Sequence, residues 1–221
     1  MLFDILFMLI IAAAVPVIVC IGVKLSVRKP SYKNLAIAFT IALLAAEVVR
    51  FFCNASLYDG AITPKADLKF NFMTVLTILC LFATFNQKFS QGLRSAFVLL
   101  LLVPVVFAIM RPECYINALD EVNGVGKALY YLQIGFSCTV GLVYMAEQNW
   151  KLRAVNLLWA GLAVLLYAGI DALTIWYWEW NIPFDAMWYL TYVIALLSAA
   201  IVWVVFFQLR KYLPQESENE Q

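Results

Sequence analysis

The chain has 221 residues, of which 65% are hydrophobic and 13% charged, and a net charge of +1. Soluble domains run at about 45–50% apolar and about 25% charged residues, so the composition excludes an ordinary soluble globule, and the near-neutral charge excludes a nucleic-acid partner. Histidine is absent, which removes the commonest general base and a favoured ligand for zinc, copper and iron.

Several apolar runs reach the roughly 20 residues that a membrane-spanning helix needs. They predict an all-α polytopic membrane protein, a seven-helix transmembrane bundle with membrane lipid as its first partner. The first span covers Leu2–Val23. It carries Asp4 at its start, lacks a basic leader and is followed by Lys24, Arg28, Lys29 and Lys33, so it reads as a retained span rather than a signal peptide. The next six cover Asn34–Phe52, Phe70–Phe85, Ser95–Met110, Ala128–Ala146, Ala154–Trp176 and Ala186–Phe207. Residues 1–211 thus form one transmembrane domain, and residues 212–221, ending in PQESENEQ, form an acidic tail expected to be disordered.

The loops divide by charge. Lys24, Arg28, Lys29, Lys33, Lys88, Arg94, Lys151, Arg153, Arg210 and Lys211 fall on one side; Lys65, Lys69, Arg111 and Lys127 fall on the other. Basic loops stay in the cytoplasm, so the expected orientation is N-terminus out and C-terminus in, in a cell membrane of the bacterial inner-membrane type. "WYWEWN" and Trp188-Tyr189 then form an outer aromatic belt, or an aromatic wall around a ligand.

Glu47 and Arg50 lie late in the second span, and Asp171 lies late in the sixth. At about 1.5 Å per residue, Arg50 and Asp171 fall at similar depth. A charge near the bilayer centre costs about 2.5–3.5 kcal/mol on insertion scales, so the three are expected to share one buried network, with Arg50 between the two carboxylates. The network reads either as a structural salt bridge or as a site for a substrate, ion or proton. As a ligand site it would also draw on Asn71, with Trp176 and Trp178 near its mouth.

Five cysteines are present. Cys53 and Cys114 fall at the outer surface and could form a disulfide in an oxidising compartment. Cys20, Cys80 and Cys138 lie within spans, where cysteine acts as a small apolar filler. No paired metal-ligand spacing, phosphate loop or nucleophile elbow occurs, so neither metal nor cofactor is expected.

The stretch from Glu47 through "LKFNFMT", "FNQKFSQGLR" and "MRPE" resembles the YwaF-like integral membrane proteins of bacteria, which are related to a vertebrate transmembrane phospholipid acyltransferase. "YYLQIGFSCTVGLVYM" and "MWYLTYVIALL" resemble later helices of that family. The resemblance implies a multi-pass helical fold and, in the acyltransferase relatives, a cysteine nucleophile supported by histidines. This chain departs from that pattern. Asn71 stands at the first histidine position, Met73 at the cysteine, and Ser137 or Cys138 near the second histidine. A thioether has no proton to lose and forms no stable acyl ester.

Three functions follow as expectations. The first is a non-catalytic membrane protein with an outward-facing polar pocket that binds or transports a small anionic or zwitterionic ligand, such as a lipid headgroup. Spans 1–3 and 5–7 share orientation around span 4, as in parallel-repeat transporters, and "LLAAEVVRFF" and "YAGIDALTIW" each place an acid before aromatics. The second is a lipid-modifying enzyme. The third is an accessory subunit that packs against a partner through the small residues of "AIAFTIALLAA".

Overall fold

The computed structural model describes residues 2–26, 31–56, 72–86, 90–110, 125–146, 153–178 and 186–210. All the elements there are helices: α1 (Leu2–Leu25), α2 (Tyr32–Ser56), α3 (Phe72–Phe85), α4 (Ser90–Leu99), α5 (Val103–Met110), α6 (Val125–Ala146), α7 (Ala154–Trp178) and α8 (Ala186–Arg210). Stretches rich in β-branched residues, such as TVLTI in α3, are helical too. In hydrocarbon each backbone N–H and C=O needs a partner within its own segment, and that demand overrides weak propensity.

α4 and α5 are two parts of one rod. Pro104 supplies no N–H, and its ring conflicts with the carbonyl one turn back, that of Leu100. Val103 N donates to Leu100 O instead at 3.0 Å, and Leu101 N reaches Val98 O at 3.4 Å, so the chain tightens across residues 100–102 before Val106 N resumes regular pairing with Leu102 O at 3.0 Å. The hydropathic pattern places one uninterrupted span at Ser95–Met110; the helical stretch starts earlier, at Ser90, and its regular pairing breaks ahead of the proline.

Four helical stretches are long and apolar enough to cross a membrane: Phe3–Leu25, Tyr32–Arg50, Gln91–Met110 and Val125–Ala146. Phe72–Phe85, Ala154–Ile170 and Tyr189–Val205 are shorter apolar stretches among the described residues. The surface agrees with a lipid environment. Leu6, Phe7, Ile10, Val17, Ile18 and Ile21 stand exposed along α1, and Leu158, Leu165 and Leu166 along α7. An apolar surface of that extent does not suit water.

α6 lies between α1 and α2 and also touches α3 and α4; α3 joins α2 to α4; α7 and α8 pack on α4, α5 and each other. Side-chain pairs fix the relative directions. α1 and α6 run parallel, because Lys127 Nζ meets Asp4 Oδ1 at 2.8 Å and Gly135 lies against Val15 and the Ile11 carbonyl. α4–α5 runs antiparallel to α6, because Phe97 meets Tyr144 and Tyr130 Oη donates to Pro104 O at 3.0 Å. One end of this packed group therefore carries Asp4, Arg50 and Phe72, and the opposite end carries Lys24, Arg94 and Tyr144.

At the first end an aromatic cluster joins α3, α5, α7 and α8. Phe72 stacks on Phe107 at 5.6 Å. Tyr167 meets Phe72 edge-on at 5.3 Å and Phe107 at 5.4 Å, and Tyr192 meets Phe107 at 5.6 Å. Edge-to-face pairs add about 0.5–1.5 kcal/mol beyond the area they bury, which anchors α7 and α8 to the rest.

Candidate functional site

Glu47 and Arg50 are three residues apart on α2, a spacing that places both on one helix face. The guanidinium grips the carboxylate with two nitrogens: Nη2 donates to Oε1 at 2.5 Å and Nε to Oε2 at 3.2 Å. Two neighbouring helices complete the shell. Thr74 Oγ1 on α3 donates to Oε1 at 2.5 Å, and Gln133 Nε2 on α6 donates to Oε2 at 2.7 Å. Arg50 Nη2 also reaches Thr74 Oγ1 at 3.3 Å. One carboxylate thus ties three helices together through four donors.

Burial makes these bonds count. The side chains of Arg50 and Glu47 are 8% and 15% exposed, and Gln133 is fully buried. A carboxylate there is tolerable because a cation and charge-assisted hydrogen bonds replace its water. Two groups keep unused capacity among the described residues. Arg50 Nη1 has no partner there, and Gln133 Oε1 is buried without one.

A second polar cluster lies at the opposite end of the same three helices. Thr40 Oγ1 on α2 donates to Ala36 O at 2.7 Å and lies 2.9 Å from Thr84 Oγ1 and 3.3 Å from Cys80 Sγ, both on α3. Thr84 Oγ1 lies 2.6 Å from Tyr144 Oη on α6. Arg94 on α4 donates from Nε to Ala83 O at 3.1 Å and sits 5.1 Å over the Tyr144 ring.

Of the residues expected to form the site, Glu47 and Arg50 meet directly. Asn71, Cys114 and the side chains of Cys53, Asp171, Trp176 and Trp178 lie outside the described residues. So do the pairing of Arg50 with Asp171 and the disulfide between Cys53 and Cys114. Asp171 belongs to α7, one turn beyond Tyr167. Met73, at the family's cysteine position, is fully buried. Cys80 is surrounded by hydroxyls, with no described carboxylate, amine or imidazole bonded to its sulfur.

Sequence reasoning missed Thr74, Gln133, Thr40, Thr84 and Tyr144. A signal existed: Thr74, Thr77 and Thr84 recur at helical spacing on α3, and Gln133 is an amide in the middle of a long span. A separate shallow groove of about 330 Å³ runs between α1 and α6 and is lined by Phe3, Asp4, Phe7, Lys127, Ala128 and Tyr131.

Neither a protein-family model, nor a characterised protein, nor a solved structure matches the chain.

Proposed function

We propose that this chain is a multi-pass integral membrane protein of seven spans, N-terminus out and C-terminus in. In this reading it binds or carries a small anionic or zwitterionic ligand, such as a lipid headgroup, at the Glu47–Arg50 site in the outer half of the membrane. One observation carries the reading. Among the described residues, a buried ion pair held by three helices still has a guanidinium nitrogen and, on the adjoining glutamine, a carbonyl oxygen that no hydrogen bond uses. Arg50 Nη1 suits a phosphate or carboxylate oxygen, and Gln133 Oε1 suits an ammonium. The basic residues Lys24, Lys33 and Arg94, at the end opposite Arg50, support the orientation.

Full bonding of the Glu47 carboxylate favours a competing reading, in which the pair only fastens α2, α3 and α6 to one another. The enzymatic reading, suggested by the likeness to YwaF-like proteins, needs a nucleophile and a base. Met73 supplies neither.

Native mass spectrometry decides between binding and fastening. Protein released from detergent is offered phosphatidylethanolamine and phosphatidylglycerol. The expected result is one tightly held lipid on the unmodified chain, lost from the Glu47→Gln/Arg50→Leu double variant. Equal lipid retention by the double variant sinks the binding reading and leaves the fastening one.

A further inference from the structure

Between the two polar clusters, the α2–α3–α6 seam holds polar atoms that no described residue satisfies. Thr77 Oγ1 on α3, Ser137 Oγ on α6 and Gln133 Oε1 are buried without hydrogen-bond partners. Thr77 and Ser137 are each 2% exposed, and Gln133 is 0%.

Register sets these residues at matching heights along the seam. α3 and α6 run parallel, with Thr84 paired to Tyr144 at one end and Thr74 and Gln133 sharing the Glu47 carboxylate at the other. Moving two turns along both helices from Thr84 and Tyr144 reaches Thr77 and Ser137, so these two share a level. Thr74, Thr77, Cys80 and Thr84 form one strip on α3. Gln133, Ser137 and Tyr144 form another on α6, and Thr40, Glu47 and Arg50 a third on α2. From Thr74 to Thr84 the strip is about 15 Å long at 1.5 Å per residue.

We propose that water occupies the Thr77–Ser137 level, joins the two clusters into one hydrogen-bonded path, and lets protons pass between Glu47 and the Arg94 end. The lipid phase offers these hydroxyls no partner, and water needs two to four polar neighbours of the kind found here. A hydroxyl accepts on a lone pair and donates its own hydrogen, so the Thr84–Tyr144 pair and the Thr77–Ser137 level, two turns apart, can relay a proton through the water between them. Thr74 hands its own hydrogen to Glu47 Oε1 along the bond it already donates and takes one from the water in exchange, and Glu47 then releases the proton at its own end of the seam. One proton enters for each that leaves, and only O–H bonds form and break.

The surroundings suit transit rather than storage. Arg50 faces Glu47 from the same helix. α3 contributes no charged side chain, only the hydroxyls of Thr74, Thr77 and Thr84 and the Cys80 thiol. α6 contributes Gln133, Tyr130 and Tyr144, and α4 places the Arg94 cation over the Tyr144 ring. A cation at each end disfavours a resident proton between them. The path does not depend on ligand binding at Arg50, and the two are measured separately.

The test uses the full chain in phosphatidylcholine–phosphatidylglycerol vesicles containing a pH-sensitive dye, with a potassium diffusion potential as driving force. Vesicles with the unmodified chain should pass protons well above protein-free vesicles. Thr77→Val and Ser137→Ala should each slow the flux by about tenfold, the factor that corresponds to about 1.4 kcal/mol. Glu47→Gln should bring it to background. The two hydroxyl variants alter one polar atom each, so they remain informative if Glu47→Gln fails to fold. Background flux from the unmodified chain, or undiminished flux from a folded Thr77→Val/Ser137→Ala double variant, overturns the path.

Discussion

Arg50 and Glu47 lock together fork to fork within one turn of α2, with Nη2 on Oε1 at 2.5 Å and Nε on Oε2 at 3.2 Å. The pair is buried, so losing one member strands the other. Glu47→Gln and Arg50→Leu should each destabilise the protein by about 3–5 kcal/mol, and the double variant should recover part of that loss. Thermal unfolding in detergent measures all three. Additive losses in the double variant would show that the two charges do not depend on each other.

Asp171 offers a separate test of the wider network. Tyr167 packs edge-on against Phe72 at 5.3 Å, two residues before Thr74, and Asp171 lies one turn beyond Tyr167 on α7. A double-mutant cycle between Asp171→Ala and Arg50→Leu should therefore give a coupling energy within about 0.5–3 kcal/mol. Simple additivity would place Asp171 beyond the reach of Arg50.

The Thr84–Tyr144 contact at 2.6 Å fastens α3 to α6. Tyr144→Phe and Thr84→Val should each cost about 0.5–1.5 kcal/mol, and the pair together less than the sum. Unfolding midpoints of the three variants decide the matter. A fully additive double variant would mean the hydroxyls act independently.

Gly135 lets α6 lie close against α1. A Cβ there would stand 2.8 Å from Val15 Cγ2 and 3.2 Å from the Ile11 carbonyl oxygen. Gly135→Ala should push α1 outward and cost about 1–3 kcal/mol, as overpacking typically does. Val15→Ala added to it should restore part of the stability, since the side-chain clash goes and the carbonyl contact stays. Unchanged stability in Gly135→Ala would mean that α1 shifts freely on α6.

Orientation is checked at the two ends of the chain. Seven spans, as proposed, would put the termini on opposite sides of the membrane, and by the positive-inside rule the proposed orientation has the C-terminus in the cytoplasm. Impermeant thiol labelling of single cysteines introduced near Met1 and near Gln221 should therefore modify only the former from outside. Labelling of both positions from one side would show an even number of spans.

The sequence by itself determined the helical class and pointed to seven spans, four of which the structure holds as helices long and apolar enough to cross a membrane, because apolar length is a local property that one segment carries alone. It also determined that Glu47 and Arg50 can meet, since three residues along a helix is a neighbour distance whatever surrounds it. It did not show the break in helical pairing before Pro104, where both neighbouring segments are apolar enough to read as one.

Only the tertiary structure decided that Thr74 and Gln133 close around the same carboxylate and that Thr84 meets Tyr144. Those contacts depend on which face of α6 turns toward α2 and α3. In a soluble helix the polar face identifies the solvent side and the apolar face the core. Here lipid and core are both apolar, so α6 presents Leu142 to one and Ile134 to the other with no contrast in hydropathy. The faces were fixed by packing, through Gly135 against α1 and Gln133 against Glu47.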